Sequence, residues 1–176
     1  MTELHAVTKF EDEYFFLSNF YESPITFSTP GGDLTFFSGE AAFQASKHKA
    51  MKGDDRDKLY YIHKVRDAVS PKQAKYFGRS VDIDLEKWEQ IKVDAMREVV
   101  YHKFLNEGPY GQTMADALLK TGHAMLVEGN TWGDTYWGRV DGKGKNKLGV
   151  ILMEVRGWLY WQKQYKQPMA IPEMGS

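Results

Sequence analysis

The longest helical pattern in the chain spans residues 84–106. Its apolar residues recur with the spacing of one broad helix face, and they are Leu85, Trp88, Ile91, Ala95, Met96, Val99, Val100 and Phe104. Gly108 and Pro109 then end the pattern. Because a stripe this broad is normally buried against other elements, the pattern predicts a helix-rich domain.

Shorter patterns on both sides complete the predicted fold. Short strands are predicted over the aromatic-rich residues 14–20, over 25–28 and over 34–37, and the turn residues 30–33 join the last two as a hairpin. Caps, among them Ser38 and Ser70, and apolar spacing predict helices over 39–52, 55–65, 71–76, 112–120 and 148–164, and a strand over 124–128. Gly78 fits a C-terminal cap for the helix that ends near Tyr76.

No alternation of strands and helices suggests a Rossmann fold, so the prediction is an α+β fold. We expect a helix-rich single compact domain over residues 1–176 with a small β-sheet, a core at about 14–165 and a loose C-terminal tail. Hydrophobic residues make up 42% of the chain and charged residues 27%, which is typical of a soluble globular protein.

Composition excludes several classes of function. The chain has no cysteine, which excludes thiolate catalysis and cysteine-based metal sites, and its five histidines show no metal-binding spacing. A net charge of −1 argues against a dedicated nucleic-acid binder, although a local basic patch is still compatible with it. No apolar run reaches the ~20 residues of a membrane span, and no signal peptide is visible. We therefore expect a cytoplasmic protein without metal, cofactor or membrane partner.

A loop rich in glycine and lysine precedes the last predicted helix. Gly142 and Gly144 allow the backbone to approach a ligand, and three lysines nearby add positive charge. The amides that begin the next helix are suited to bind a phosphate or pyrophosphate. The adjacent pair Tyr136-Trp137 is suited to stack on a base. The same residues also fit a solvated basic turn beside two core rings, and the spacing is not that of a Walker motif.

A second polar pattern lies on the predicted helix 39–52. Glu40, Gln44 and Lys47 fall at i, i+4 and i+7, which places a carboxylate, an amide and an ammonium on one face. Such a face can bind a sugar and transfer protons, but it also fits a solvated surface. Trp88, at an apolar helix position, is by default a core residue.

Taken in order, these segments resemble the NADAR superfamily, the YbiA-like N-glycosidases. The resemblance extends from Tyr14 to Arg156 and rests on segments whose order and spacing agree with the family: 16–20, 38–47, 70–71, 78–79, Trp88, 126–128, Asp134, 136–138, 144–146, 148–149 and 152–156. It implies a compact α+β domain that cleaves the N-glycosidic bond between a nitrogenous base and ribose 5-phosphate or ADP-ribose. The implied substrates are riboflavin-pathway intermediates or ADP-ribosylated guanine in nucleic acid. Ala41-Ala42 stands where many members have His-Tyr or a similar pair. The resemblance therefore does not define the base-facing side of the pocket or the substrate.

Motif position assigns catalysis to Glu40, Asp134, Lys47 and Trp88. We assign substrate binding to Asn19, Phe20, Gln44, Tyr136, Trp137, Gly138, Gly144, Lys145 and Asn146. One carboxylate would stabilise positive charge at the anomeric carbon and the other would activate water, in an order that the sequence leaves open. An uncharged Lys47 offers a second route through a Schiff base.

The sequence is also compatible with two other functions. A non-catalytic module that binds ADP-ribose or another nucleotide would use the loop and the aromatic pair without Glu40. A structural or interaction protein would have no pocket that joins Glu40, Lys47, Asp134 and the 144–146 loop. The sequence does not define an oligomeric state.

Overall fold

A computed structural model describes residues 5–105, 111–166 and 170–174 of the chain. Its helices and strands are β1 (Ala6–Val7), β2 (Glu22–Thr29), β3 (Gly32–Ser38), α1 (Gly39–Ala45), α2 (Asp55–Arg66), α3 (Pro71–Ser80), α4 (Leu85–Leu105), α5 (Gly111–Lys120), β4 (Met125–Leu126) and α6 (Lys147–Tyr165). Segments Asp12–Leu17 and Ser46–Ala50 are 3-10 helices. The predicted helix-rich α+β fold with little sheet is confirmed, while the predicted loose tail falls partly outside the described residues.

The chain groups into two compact units. We call residues 19–108, with 174–176, the hairpin unit, and residues 1–18, with 109–173, the terminal unit. The single compact domain expected over residues 1–176 stays a prediction, and each unit is described by itself.

The hairpin unit begins with the antiparallel pair β2 and β3. Thr29 pairs with Gly32 at the turn, and Ile25 pairs with Phe36 deeper in the ladder. Phe27 stacks on Phe36 at 5.1 Å between ring centroids, so one face of the hairpin joins the core beneath α4. The hairpin prediction is confirmed.

Serine caps begin two helices of this unit, as predicted. Ser38 Oγ accepts from the Ala41 amide at 3.1 Å, and Ser70 Oγ accepts from the Gln73 amide at 3.1 Å. The α-helix predicted over 39–52 is shorter, because the chain tightens into 3-10 geometry at Ser46, whose hydroxyl bonds the Ala42 carbonyl at 3.0 Å. The helix predicted to end near Tyr76 continues through Gly78 to Ser80, so the predicted cap at Gly78 is wrong.

The terminal unit contains α5, α6 and the parallel pair of β1 with β4, in which Val7 aligns with Leu126. The strand predicted over 14–20 is wrong, because residues 12–17 close i to i−3 hydrogen bonds of a 3-10 helix. The Tyr14 amide, for example, donates to the Glu11 carbonyl at 2.9 Å. In the part of the chain that is described, no helix has the length and apolarity needed to cross a membrane.

Candidate active site

Helix α1 places Glu40 in the interior of the hairpin unit. The Ser38 cap puts Glu40 in the first helical turn, and its amide donates to the Asn19 carbonyl at 2.8 Å. Its side chain is only 7% exposed, and Oε1 accepts from Gln44 Nε2 at 2.7 Å. The i, i+4 relation read from the sequence is therefore a buried hydrogen bond rather than a solvated surface.

The surroundings of Glu40 shift its acidity upward. Burial raises the pKa of its carboxyl, against the opposing effects of the Gln44 hydrogen bond and of the charges on Lys75, Lys47 and Arg79. Glu40 therefore holds its proton to a higher pH than an exposed glutamate, as a proton donor requires.

Lys47 lies in the same cluster and is shifted in the opposite direction. Its Nζ donates to the Gly78 carbonyl at 2.7 Å and lies 5.8 Å from the centre of the Trp88 ring. Burial lowers the pKa of the Lys47 ammonium, while the charge of Glu40 acts against this shift. An uncharged amine is thus accessible at a lower pH than for a lysine in water.

Trp88 is a core residue, as its apolar helix position predicts, while its catalytic role stays a prediction. The ring is 7% exposed and packs on Phe43 at 5.4 Å between centroids, as expected of a core residue. The same ring also lies beside the Lys47 ammonium and limits the positions that this ammonium can take.

Gly78 contacts the side chains of both Gln44 and Lys47, a role that the sequence did not predict. A Cβ at this position would overlap Gln44 Oε1, so any larger residue requires the buried Gln44 side chain to move. Gln44 thereby acts as a positioning residue for Glu40. The backbone carbonyl of Gln44 accepts from Tyr61 Oη at 2.7 Å. Only a long-range contact reveals this, because glycine in a helix usually indicates a cap.

Asn19 and Phe20 flank this cluster within the same unit. Asn19 is buried, and Nδ2 donates to Met96 Sδ at 3.1 Å, while Oδ1 accepts no hydrogen bond from the described residues. Phe20 is partly exposed, and the Lys75 ammonium lies 5.7 Å from its ring centre. Together with Glu40, Gln44, Lys47 and Trp88 they form what we call the Glu40 cluster.

Asp134 belongs to the terminal unit and is held by the backbone around it. Oδ1 accepts from the amides of Tyr136 at 3.0 Å and Trp137 at 2.8 Å. The Asp134 amide and carbonyl in turn bond the side chain of Asn130 at 3.0 and 2.8 Å. One carboxylate oxygen is therefore committed to the turn, which leaves Oδ2 of this half-exposed residue for other partners.

The amides at the start of α6 do not form the open anion site that we expected. Those of Lys145, Asn146, Lys147 and Leu148 donate at 2.7–3.2 Å to the carbonyls of Thr135, Gly138, Tyr136 and Trp137, respectively. These four amides are already paired with carbonyls of residues 135–138, so they are not available to a phosphate.

The remaining predicted residues build the same loop. Asn146 adopts a left-handed conformation with φ of 52°, accepts from the Glu128 amide at 3.0 Å and donates to the Leu126 carbonyl at 2.8 Å. A Cβ at Gly138 or Gly144 would collide with neighbouring carbonyls. The rings of Tyr136 and Trp137 meet edge to face at 4.9 Å, and Lys145 Nζ lies 5.2 Å from the Tyr136 ring centre. With Asp134 these residues form what we call the Asp134 loop.

The carboxylates and imidazoles do not gather into a metal-binding group of three or more anywhere within residues 5–105, 111–166 and 170–174. The Glu40 cluster brings together a carboxyl whose pKa is raised and a half-buried lysine whose pKa is lowered, with the charges of Lys75 and Arg79 acting on both.

Comparison with known families agrees with this fold. The NADAR domain family matches residues 7–160, and the chain belongs to that family. It is 36% identical over 154 residues to N-glycosidase YbiA of Escherichia coli K12, covering 86% of each chain. The solved NMR structure of E. coli YbiA superposes with a TM-score of 0.71 at 32% identity, over 98% of this chain and 94% of that one.

Two other relatives extend the comparison. An N-glycosidase of Nostoc punctiforme is 37% identical over 119 residues, which cover 66% of this chain and 70% of that protein. A riboflavin biosynthesis protein of Vibrio vulnificus is 34% identical over 148 residues, which cover 83% of this chain but 36% of that larger protein.

Proposed function

We propose that this protein hydrolyses the N-glycosidic bond between a nitrogenous base and a ribose that carries phosphate at C5, either ribose 5-phosphate or ADP-ribose. The observation that carries the proposal is the placement of the buried Glu40 and the half-buried Lys47 in one cluster, where burial raises the pKa of the carboxyl and lowers that of the ammonium. Opposed shifts of this kind are typical of catalytic sites. The N-glycosidase names of several relatives support the same reaction class.

In the direct route, Glu40 gives its proton to the leaving base as the bond between C1 and nitrogen breaks. Positive charge then develops on the anomeric carbon, and a water molecule adds to C1 and releases a proton to a carboxylate. Asp134 is our candidate for that carboxylate, because its Oδ1 is fixed by two amides while Oδ2 is left for water. The products are the free base and the ribose phosphate.

In the covalent route, the ribosylamine ring opens to an imine at C1. The uncharged Lys47 amine adds to C1, the base departs with a proton from Glu40, and a Schiff base with Lys47 results. Water then hydrolyses the Schiff base to the aldehyde form of ribose 5-phosphate and restores the amine. The lowered pKa of Lys47 and its fixed position beside Trp88 support this route.

The riboflavin biosynthesis name of one relative supports phosphoribosylated pyrimidine intermediates as the first substrates to test. The protein is incubated with such an intermediate, with a nicotinamide dinucleotide and with ADP-ribosylated guanine in DNA, and released base and sugar phosphate are followed by mass spectrometry. Cleavage of at least one compound supports the proposal. No cleavage across the panel would favour the non-catalytic binding module instead.

Borohydride distinguishes the two routes. Reduction during turnover traps a Schiff base as a stable adduct, and peptide mass spectrometry then locates the added sugar phosphate. An adduct on Lys47 supports the covalent route, whereas turnover without any adduct favours direct hydrolysis. Full activity in Lys47→Ala would eliminate a role for Lys47 in either route.

A further inference from the structure

Helix α3 carries two cations, the half-buried Lys75 and the exposed Arg79, that our catalytic scheme does not use. Lys75 and Arg79 are four residues apart and therefore lie on one face of the helix. Gly78, which lies between them, is held against α1 by the Gln44 side chain and by the Lys47 ammonium at 2.7 Å. The docking of α3 on α1 thus brings both residues close enough for their charges to act on Glu40 and Lys47.

The charges at this point do not balance. Lys47, Lys75 and Arg79 all act on the single carboxyl of Glu40, whose pKa is raised by burial. Neither Lys75 nor Arg79 forms an ion pair with an acidic residue of the described part of the chain. Neighbouring like charges repel one another, and a bound anion relieves that repulsion.

We propose that Lys75 and Arg79 bind the phosphate on C5 of the substrate ribose, an inference that rests on the proposed function. A guanidinium fork can pair two phosphate oxygens, and a flexible ammonium supplies a second point of charge. The ring of Phe20, 5.7 Å from the Lys75 ammonium, covers the stem side of the same patch. Phosphate binding is thereby placed on α3 rather than on the paired amides that begin α6.

The structure offers a matched control on the same helix. Lys72 is an exposed lysine one turn before Lys75, and its charge is not among those that act on Glu40 or Lys47. A change at Lys72 alters the net charge of α3 as much as a change at Lys75 does. It therefore separates local phosphate binding from a general loss of positive charge.

The test measures binding of ribose 5-phosphate and of ribose by isothermal titration calorimetry. We expect Lys75→Ala and Arg79→Ala each to weaken ribose 5-phosphate binding by about ten- to a hundredfold, as for the loss of one charged hydrogen bond. Binding of ribose, and the affinity of Lys72→Ala, stay close to wild type. Lys75→Gln and Arg79→Gln, with melting temperatures for every variant, exclude misfolding as the cause.

Unchanged affinity in the Lys75 and Arg79 variants overturns the inference, as does a larger loss in Lys145→Ala or no binding of ribose 5-phosphate to the wild type. Turnover provides an independent readout, in which kcat/KM is compared for a phosphorylated substrate and its dephosphorylated analogue. Equal losses of kcat/KM on both substrates reject the phosphate site but do not contradict the glycosidase function. Binding that depends on Lys75 and Arg79, without cleavage of any compound, rejects the glycosidase function and leaves the phosphate site standing.

Discussion

The Glu40 cluster and the Asp134 loop each hold a carboxylate in place by hydrogen bonds, but the two carboxylates have different surroundings. Glu40 is buried, accepts one bond from a side-chain amide and faces three cations, and its pKa is raised. Asp134 is half-exposed and accepts two bonds from backbone amides of its own turn. The first arrangement raises the pKa of a carboxyl, and the second stabilises a loop conformation.

The same contrast extends to the neighbouring residues. In the Asp134 loop, backbone carbonyls already pair with the amides of residues 145–148, and Asn146 bonds two further backbone groups. Beside the Glu40 cluster, by contrast, Lys75 and Arg79 form no ion pair with an acidic residue of the described part of the chain. Polar residues of similar appearance in the sequence can therefore either complete a scaffold or remain available for a ligand.

Replacing Glu40 with glutamine tests the contrast most strongly. Glu40→Gln preserves size but removes the proton that the leaving base requires, so we expect kcat to fall by roughly 10³-fold, within the usual range for a general acid. Affinity for ribose 5-phosphate stays near wild type because glutamine adds no charge that repels phosphate. Mass-spectrometric rates and calorimetry measure the two quantities. Glu86→Gln, an exposed position on α4, serves as the control, and near-normal turnover in Glu40→Gln would disprove the role of Glu40.

Two substitutions at Asp134 separate its chemical and structural contributions. Asp134→Asn retains an oxygen that accepts from the Tyr136 and Trp137 amides, so we expect a stability change of less than about 0.5 kcal/mol. Its kcat falls by about 10²-fold because the amide cannot accept a proton from water. Asp134→Ala loses both functions and in addition about 1 kcal/mol of stability. Urea denaturation measures the stability changes and turnover rates measure the catalytic ones. Full activity in Asp134→Asn would mean that Asp134 only stabilises the loop.

Two helical glycines provide a matched pair for the packing of the Glu40 cluster. In Gly78→Ala the new methyl group overlaps Gln44 Oε1, so we expect a loss of about 1–3 kcal/mol and a lower kcat as Glu40 loses its partner. Gly157→Ala meets no atom within 4 Å and is expected to gain about 0.5–1 kcal/mol from helix propensity. Thermal melts of both variants measure this difference, and a neutral Gly78→Ala would contradict the proposed fit.

Local features of this fold could be predicted from the sequence because their causes lie within a few residues. The turn before Gly32 and the serine caps at Ser38 and Ser70 depend only on nearby side chains and backbone conformation. The polar stripe of Glu40, Gln44 and Lys47 was likewise visible as helical spacing. Its burial was not visible, since it depends on the elements packed around α1.

Features that depend on distant contacts were missed for the same reason. Gly78 looks like a helix cap until Gln44, 34 positions earlier, is placed against it. The 142–146 loop looks like an anion site until the carbonyls of residues 135–138 are paired with its amides. The aromatic run 14–20 resembles a strand in composition, whereas residues 12–17 bond as a 3-10 helix. In each case a hydrogen bond or a close contact decides between two conformations that composition alone allows.

The smallest expected effect concerns the pH dependence of the Glu40 cluster. The positive charge of Lys75 lowers the pKa of both Glu40 and Lys47, because it favours the ionised carboxylate and disfavours the ammonium. Removing that charge in Lys75→Ala raises both pKa values, so the pH profile of kcat/KM moves toward higher pH. Lys72→Ala leaves the profile in place, since its charge is not among those that act on either group. A profile that keeps its position in Lys75→Ala while its height falls would mean that Lys75 binds phosphate without adjusting the two catalytic groups.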